Sequence, residues 1–214
     1  MKRKMMKKAM MMVLALAMVC VASVAGTLAY LSHQTGPVTN TFVIGSLFDN
    51  ATNDFALWEH KLANDGKGVN GVFTLVDTEE GLVKTNTYEN VLPGVNVPKD
   101  PFVRVNGLKE DAYLFLVVED NTGDHINFEM DSNWEQYKTE TDGKQIYVYA
   151  EAANNYTLSS DPSQRDLGIL LNDTVTVSEN FAGGTGINIS FTAYIIQSAG
   201  LTDRDAAWAA IKTN

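Results

Sequence analysis

Nine residues near the C-terminus, Ile187-Asn188-Ile189-Ser190-Phe191-Thr192-Ala193-Tyr194-Ile195, alternate between apolar and polar. Successive side chains of a β-strand point to opposite faces, so this pattern predicts a half-buried strand. Thr174-Val175-Thr176-Val177-Ser178 repeats it on a smaller scale. Tyr113-Leu114-Phe115-Leu116-Val117-Val118 is apolar throughout, which predicts a central strand covered on both faces. Three further stretches have strand character: Gln145-Ile146-Tyr147-Val148-Tyr149-Ala150, Val38-Thr39-Asn40-Thr41-Phe42-Val43-Ile44 and Gly71-Val72-Phe73-Thr74-Leu75-Val76. Turn signals lie between them: Asn64-Asp65-Gly66, Pro93-Gly94, Asn106-Gly107, Asn121-Thr122-Gly123-Asp124, Asp142-Gly143 and Gly183-Gly184. Many short strands between such turns predict an all-β fold, an antiparallel β-sandwich with short peripheral helices.

Two helices are predicted. Residues 53–62, Asn53-Asp54-Phe55-Ala56-Leu57-Trp58-Glu59-His60-Lys61-Leu62, read as a short one. In the other, Thr202 caps the N-terminus, Asp203 and Asp205 complement the dipole in the first turn, and Ala206 to Lys212 follow. Trp208 and Ile211 then share a face and are expected to plug one end of the sandwich. No composition break or tandem repeat divides the chain.

The first eight residues, MKRKMMKK, carry five positive charges, and no charge follows from Ala9 to Leu31. A basic start, an apolar middle and a small-residue end describe an export signal. Thr27 and Ala29 supply the small side chains a signal peptidase accepts, placing cleavage after Ala29 and making Tyr30 the first mature residue. Ser23-Val24-Ala25 is the weaker candidate for the cleavage site, and an uncleaved N-terminal anchor is the alternative. The expected organisation is a signal over residues 1–29 and one sandwich domain over residues 30–214, secreted to the cell exterior.

Export changes the charge. The remaining 185 residues keep all 26 acidic residues but only 11 of the 16 basic ones, a formal charge of about −15. Such a surface disfavours nucleic acid and anionic membrane as partners. The single cysteine, Cys20, falls within the signal, so the exported chain has neither disulfide nor thiol chemistry. Leu92-Pro93-Gly94 has the look of a wall-sorting motif but sits mid-chain, and residues 210–214 carry no sorting signal.

Residues 86–105, NTYENVLPGVNVPKDPFVRV, are more specific than composition. Four pieces recur in order: Thr39-Asn40-Thr41-Phe42-Val43-Ile44-Gly45, the Pro93-Gly94 turn, Lys99-Asp100-Pro101 leading into a strand, and Phe191-Thr192-Ala193-Tyr194-Ile195-Ile196-Gln197 before Asp205-Ala206-Ala207-Trp208. With the small-residue signal end and Tyr30, this order resembles the TasA/camelysin family, exported Gram-positive proteins with SipW-type signal peptides. The resemblance implies a jelly-roll-like sandwich, a dedicated signal peptidase and a place in surface or biofilm fibres. Its camelysin branch also implies metallopeptidase activity.

The residues support that last activity poorly. A zinc site commonly places two histidines on one helical face with a general-base Glu between them. His33, His60 and His125 are the only histidines and are far apart in sequence, so they read as exposed loop residues; Glu59 is the one candidate base. Neither G-x-S-x-G nor a Gly-rich phosphate loop occurs. Calcium is the one cofactor left open, at Asp49-Asn50-Ala51-Thr52-Asn53-Asp54 and Glu119-Asp120-Asn121-Thr122-Gly123-Asp124, neither with EF-hand spacing. Lys99-Asp100-Pro101 reads as structural: Pro98 and Pro101 hold the chain extended, Asp100 accepts backbone N–H groups, and Lys99 pairs with an acid. Trp134, Tyr137, Tyr147, Tyr149 and Tyr156 are candidates for a sugar platform, with core packing as the alternative.

The expected function is therefore a non-enzymatic surface or matrix protein whose partners are copies of itself, other matrix components and, during export, signal peptidase. Strand addition by Val38 to Ile44, with Phe42, Val43 and Ile44 against an apolar face, is the expected assembly device. A metal-dependent endopeptidase and a carbohydrate-binding module are the alternatives.

Overall fold

The computed structural model describes residues 32–34, 47–48, 54–181 and 187–213. Within them run thirteen strands and one α-helix: β1 (Ser32–Gln34), β2 (Phe55–His60), β3 (Leu82–Val83), β4 (Asn96–Pro98), β5 (Phe102–Leu108), β6 (Ala112–Asp120), β7 (Ile126–Asn127), β8 (Trp134–Thr139), β9 (Gln145–Tyr149), β10 (Thr157–Leu158), β11 (Asp161–Gly168), β12 (Thr174–Val177), β13 (Ile189–Gln197) and α1 (Arg204–Lys212). All the strand pairings are antiparallel. One sheet has the order β1-β13-β6-β9-β8, with β10 also on β6; a second runs β11-β5-β2-β3; a third runs β4-β12-β7. The fold is an all-β, antiparallel, sandwich-like one.

Strand β6 shows why residues 113–118 carry no polar position. It lies between β13 and β9. Leu114, Leu116 and Val118 enter the main core with Val103 and Val105 of β5, Ala193 and Ile195 of β13, and Val175 and Val177 of β12. Phe115 and Val117 face the other way, into a second cluster with Ile146, Val148, Ile196, Ala207 and Trp208. Each fully buried side chain of this size contributes about 1.5–3 kcal/mol. Helix α1 thus roofs the outer face of the first sheet instead of plugging an end. Trp208 packs on Phe115 and Tyr194, ring centroids 5.2 and 5.7 Å away.

The strands expected at 113–118, 145–150, 174–178 and 187–195 are present as β6, β9, β12 and β13. Other expectations need correction. Residues 53–62 do not form a helix: Phe55–His60 is strand β2, paired with β5 and β3. Phe55, Leu57 and Glu59 fall on one face at period two, and tertiary pairing overrides a weak helical signal. Residues 71–76 are not a strand: Val72 and Leu75 make only isolated bridges to Val69 and Leu62, while Phe73 is buried. Asn106-Gly107 is no turn but lies inside β5, opposite a bulge between Asp161 and Gln164 of β11. The cap of α1 is Asp203, whose Oδ1 accepts the Ala206 N–H at 2.8 Å, and not Thr202.

Asn64, Asp65 and Gly66 all have positive φ. At Gly66 (φ 79°) an added Cβ would lie 1.9 Å from the Thr87 carbonyl oxygen, so only glycine fits. This close approach fastens residues 61–71 to residues 84–89, which form one wall of the site described next.

Candidate functional site

Strand β2 ends in Glu59 and His60, and the chain leaving β4 reads Lys99-Asp100-Pro101. Tertiary folding brings these dipeptides together through two side-chain contacts. Lys99 Nζ lies 2.9 Å from Glu59 Oε2. His60 Nδ1 lies 2.5 Å from Asp100 Oδ2, and the His60 backbone N–H donates to Asp100 Oδ1 at 3.1 Å. The neighbouring residues alternate faces, so Glu59 points inward while His60 lies against Phe102, ring centroids 5.8 Å apart. His60 Nε2 also approaches Asp77 Oδ1 at 3.4 Å.

The structural reading of the Lys-Asp-Pro segment agrees with these contacts: Lys99 pairs with an acid, and Asp100 accepts a backbone N–H. Pro101 gives its carbonyl to the Ile169 N–H at 3.0 Å. Asn86 adds a side-chain substitute for a strand, donating to His60 O at 2.7 Å and accepting from the Leu62 N–H at 2.9 Å. Tyr88 donates its hydroxyl to Pro98 O at 2.8 Å. Burial, then the charges of Glu59 and Asp100, hold that phenol far above the usual tyrosine range. Pro93-Gly94 forms a turn, with Gly94 at φ 73° and its N–H donating to Val177 O.

Beside this network lies a cavity of about 510 Å³. Its walls include Leu57, Val97, Val175, Val177, Phe191, Trp58, Glu59, Lys99 and Lys84. Lys84 donates to the Leu57 carbonyl and stands over the Trp58 ring, 3.4 Å from its centroid. Burial pushes its ammonium down to about 8.

The histidines are not uniformly loop residues. His33 is in β1 and His60 ends β2. His125 lies in the turn before β7, its ring 5.7 Å from that of Phe181. No group of three or more His, Cys, Asp or Glu able to hold a metal occurs among the described residues. In the 119–124 segment, Asp120 Oδ1 accepts from Thr122 N–H and Oγ1 at 2.9 and 2.6 Å, and Glu119 pairs with Lys144 at 3.0 Å. Of the other calcium candidate, residues 49–53 lie outside the described residues.

The aromatic candidates separate into two groups. Trp134 and Tyr147 are buried in the main core; Trp134 donates Nε1–H to Gly168 O at 2.8 Å and stands edge-on to Tyr149. Tyr137 and Tyr156 instead flank Arg204, whose guanidinium carbon lies 5.4 and 4.2 Å from their centroids. Burial, then the bond to Asp205, pushes the Tyr137 hydroxyl up to about 12. Tyr156 donates to Glu135 at 2.8 Å.

The cleavage-site residues Thr27, Ala29 and Tyr30 and the assembly residues Phe42, Val43 and Ile44 lie outside the described residues. The nearest described N-terminal segment is β1, which pairs with β13 in the register Ser32 to Ile196, His33 to Ile195 and Gln34 to Tyr194. Sequence reading missed Lys84 and the partners of Lys99 and Asp100. Forty residues separate His60 from Asp100, and no local spacing signals the pairing. Compared with known proteins, no family model, curated protein or solved structure matches the chain.

Proposed function

We propose that the protein is an exported, non-enzymatic surface or matrix component that associates with copies of itself by β-strand addition. The observation that carries this reading is β1. It is a terminal strand of three residues, added antiparallel to β13 at the edge of the first sheet, directly after the proposed cleavage site. Residues 35–46 connect it to Leu47, which is fully buried. The same backbone pairing can also form between two chains, as in strand exchange.

Two of the other outer strands, β11 and β8, are poor acceptors. Strand β11 carries Asp161, Pro162, Arg165 and Asp166 and a bulge, and β8 carries Glu135 and Lys138 and a register shift between Gln136 and Lys138. Charges, proline and bulges on an edge discourage further pairing. These features disfavour strand addition at β11 and β8 and favour the β13 side over them. Peptidase chemistry is less well supported: Glu59, the candidate base, is buried against Lys99, and His60 is engaged by Asp100.

Cysteines at Gln34 and Tyr194, which face each other across the β1–β13 pairing, test the proposal. Under oxidising conditions strand exchange links successive chains into a covalent ladder, and deletion of residues 30–45 abolishes assembly. Intramolecular closure alone, with assembly unchanged by the deletion, would overturn it.

A further inference from the structure

Four cations with largely buried side chains each meet at least one carboxylate: Lys99 meets Glu59, Arg104 meets Glu79 and Asp166, Arg165 meets Glu151, and Arg204 meets Glu135. Lys84 does not. Its contacts among the described residues are the Leu57 carbonyl and the Trp58 ring, neither of which bears a formal negative charge. In a chain with 26 acidic residues against 16 basic ones, a half-buried ammonium without a counter-charge is unexpected. Removing an ion from water is costly unless a partner of opposite sign replaces the lost hydration.

The place where this happens is a cavity. Apolar walls with a few directed polar groups are the usual make-up of a small-molecule site. Leu57, Val97, Val175, Val177 and Phe191 supply the apolar walls. Glu59 also reaches the cavity, but Lys99 neutralises it at 2.9 Å. The lining therefore has one surplus positive charge. We infer that the cavity binds a small amphipathic monocarboxylate, its carboxylate against Lys84 and its hydrocarbon body along the apolar walls. A neutral hydrocarbon would leave the ammonium uncompensated, and an amine would add a like charge. Multiply charged anions are disfavoured by the net negative charge of the whole chain. A charge-assisted hydrogen bond to the ligand carboxylate supplies what the protein itself does not. This inference is independent of assembly, because its readout is a binding isotherm.

Calorimetric titration of the purified protein with octanoate, octanol and octylamine, each as a monomer in solution, tests it. Octanoate binds saturably, octanol binds about tenfold more weakly or worse, and octylamine does not bind. Lys84→Met keeps the apolar stem and lowers octanoate affinity by about tenfold while leaving octanol unchanged; Lys84→Arg restores octanoate binding. Equal affinities for octanoate and octanol overturn the inference. So does octanoate binding that Lys84→Met leaves unaltered, or no octanoate binding at about 1 mM. Should Lys84→Met fail to fold, the ranking of the three ligands on the unaltered protein decides alone.

Discussion

Glu59 and Lys99 form an ion pair, 2.9 Å from Nζ to Oε2, with side chains only 8% and 13% exposed. It joins the inward face of β2 to the chain leaving β4. Breaking such a pair from one side strands a buried charge, whereas removing both charges does not. Lys99→Met should therefore cost about 3–5 kcal/mol in urea unfolding. The double variant Glu59→Met/Lys99→Met should recover to within about 1 kcal/mol of the parent or exceed it. A double variant no more stable than the single one would show that the pair does more than neutralise itself.

Arg104 is a second buried cation, and its planar fork matters as much as its charge. Nε and one terminal nitrogen donate to both oxygens of Asp166 at 2.7 Å, while the terminal nitrogens reach both oxygens of Glu79 at 2.7 and 2.9 Å. Lysine cannot present two such forks. Arg104→Lys should cost about 1–3 kcal/mol by denaturant unfolding. The hydrogen bond to Arg104 holds the Glu79 carboxyl below its usual range. A depressed carboxyl contributes stability that is full above its unfolded value and is lost as pH falls through the folded one. The acid limb of the stability profile below about pH 4.5 should consequently be shallower in Arg104→Lys than in the parent.

The sheet core was legible in the sequence because strand period and burial coincide there. Residues 113–118 and 187–195 announce β6 and β13 through side chains that point into one core or the other. Strand β2 was not legible: Phe55, Leu57 and Glu59 define its inward face only once Lys99 has neutralised the glutamate. Strand β11, Asp161-Pro162-Ser163-Gln164-Arg165-Asp166-Leu167-Gly168, has almost no apolar alternation, since it is an edge held by backbone pairing to β5 and by the Arg104 clamp. The site followed the same rule. The Lys-Asp-Pro segment was visible as a motif, but its partners lie on a strand the sequence misread. Lys84 is an ordinary lysine until the fold withholds a carboxylate from it.

Helix α1 offers a direct contrast between sequence and structure. Its cap is Asp203, so Asp203→Ala should cost about 1 kcal/mol. Thr202→Ala, by contrast, should stay within about 0.5 kcal/mol of the parent. Trp208 is 4% exposed and packs on Phe115 and Tyr194. Trp208→Ala should therefore cost about 3–5 kcal/mol, through the cavity it leaves beside Phe115. Thermal unfolding of the three variants orders them; a large effect at Thr202 would contradict the cap assignment.

Lys84 makes a prediction about pH that does not depend on any ligand. Its ammonium titrates near 8 in the fold because of burial, against 10.5 ordinarily. Between those values the unfolded chain holds a proton that the native one has released, so stability rises with pH across this window. Below about pH 8 both states are protonated and the slope vanishes. The side chain is only half buried, so solvent screening reduces the gain to on the order of 1 kcal/mol. Tyrosines raised by burial, such as Tyr88 and Tyr147, act in the opposite direction near pH 10. They are common to parent and variant, as are Glu59 and Lys99 in the same cavity, so the comparison with Lys84→Met isolates the lysine. Stability of the parent relative to Lys84→Met should rise from about pH 8 towards pH 10, measured by urea midpoints at fixed ionic strength. A difference that stays flat across this range would mean that Lys84 keeps its proton in the fold and that its ammonium is not desolvated.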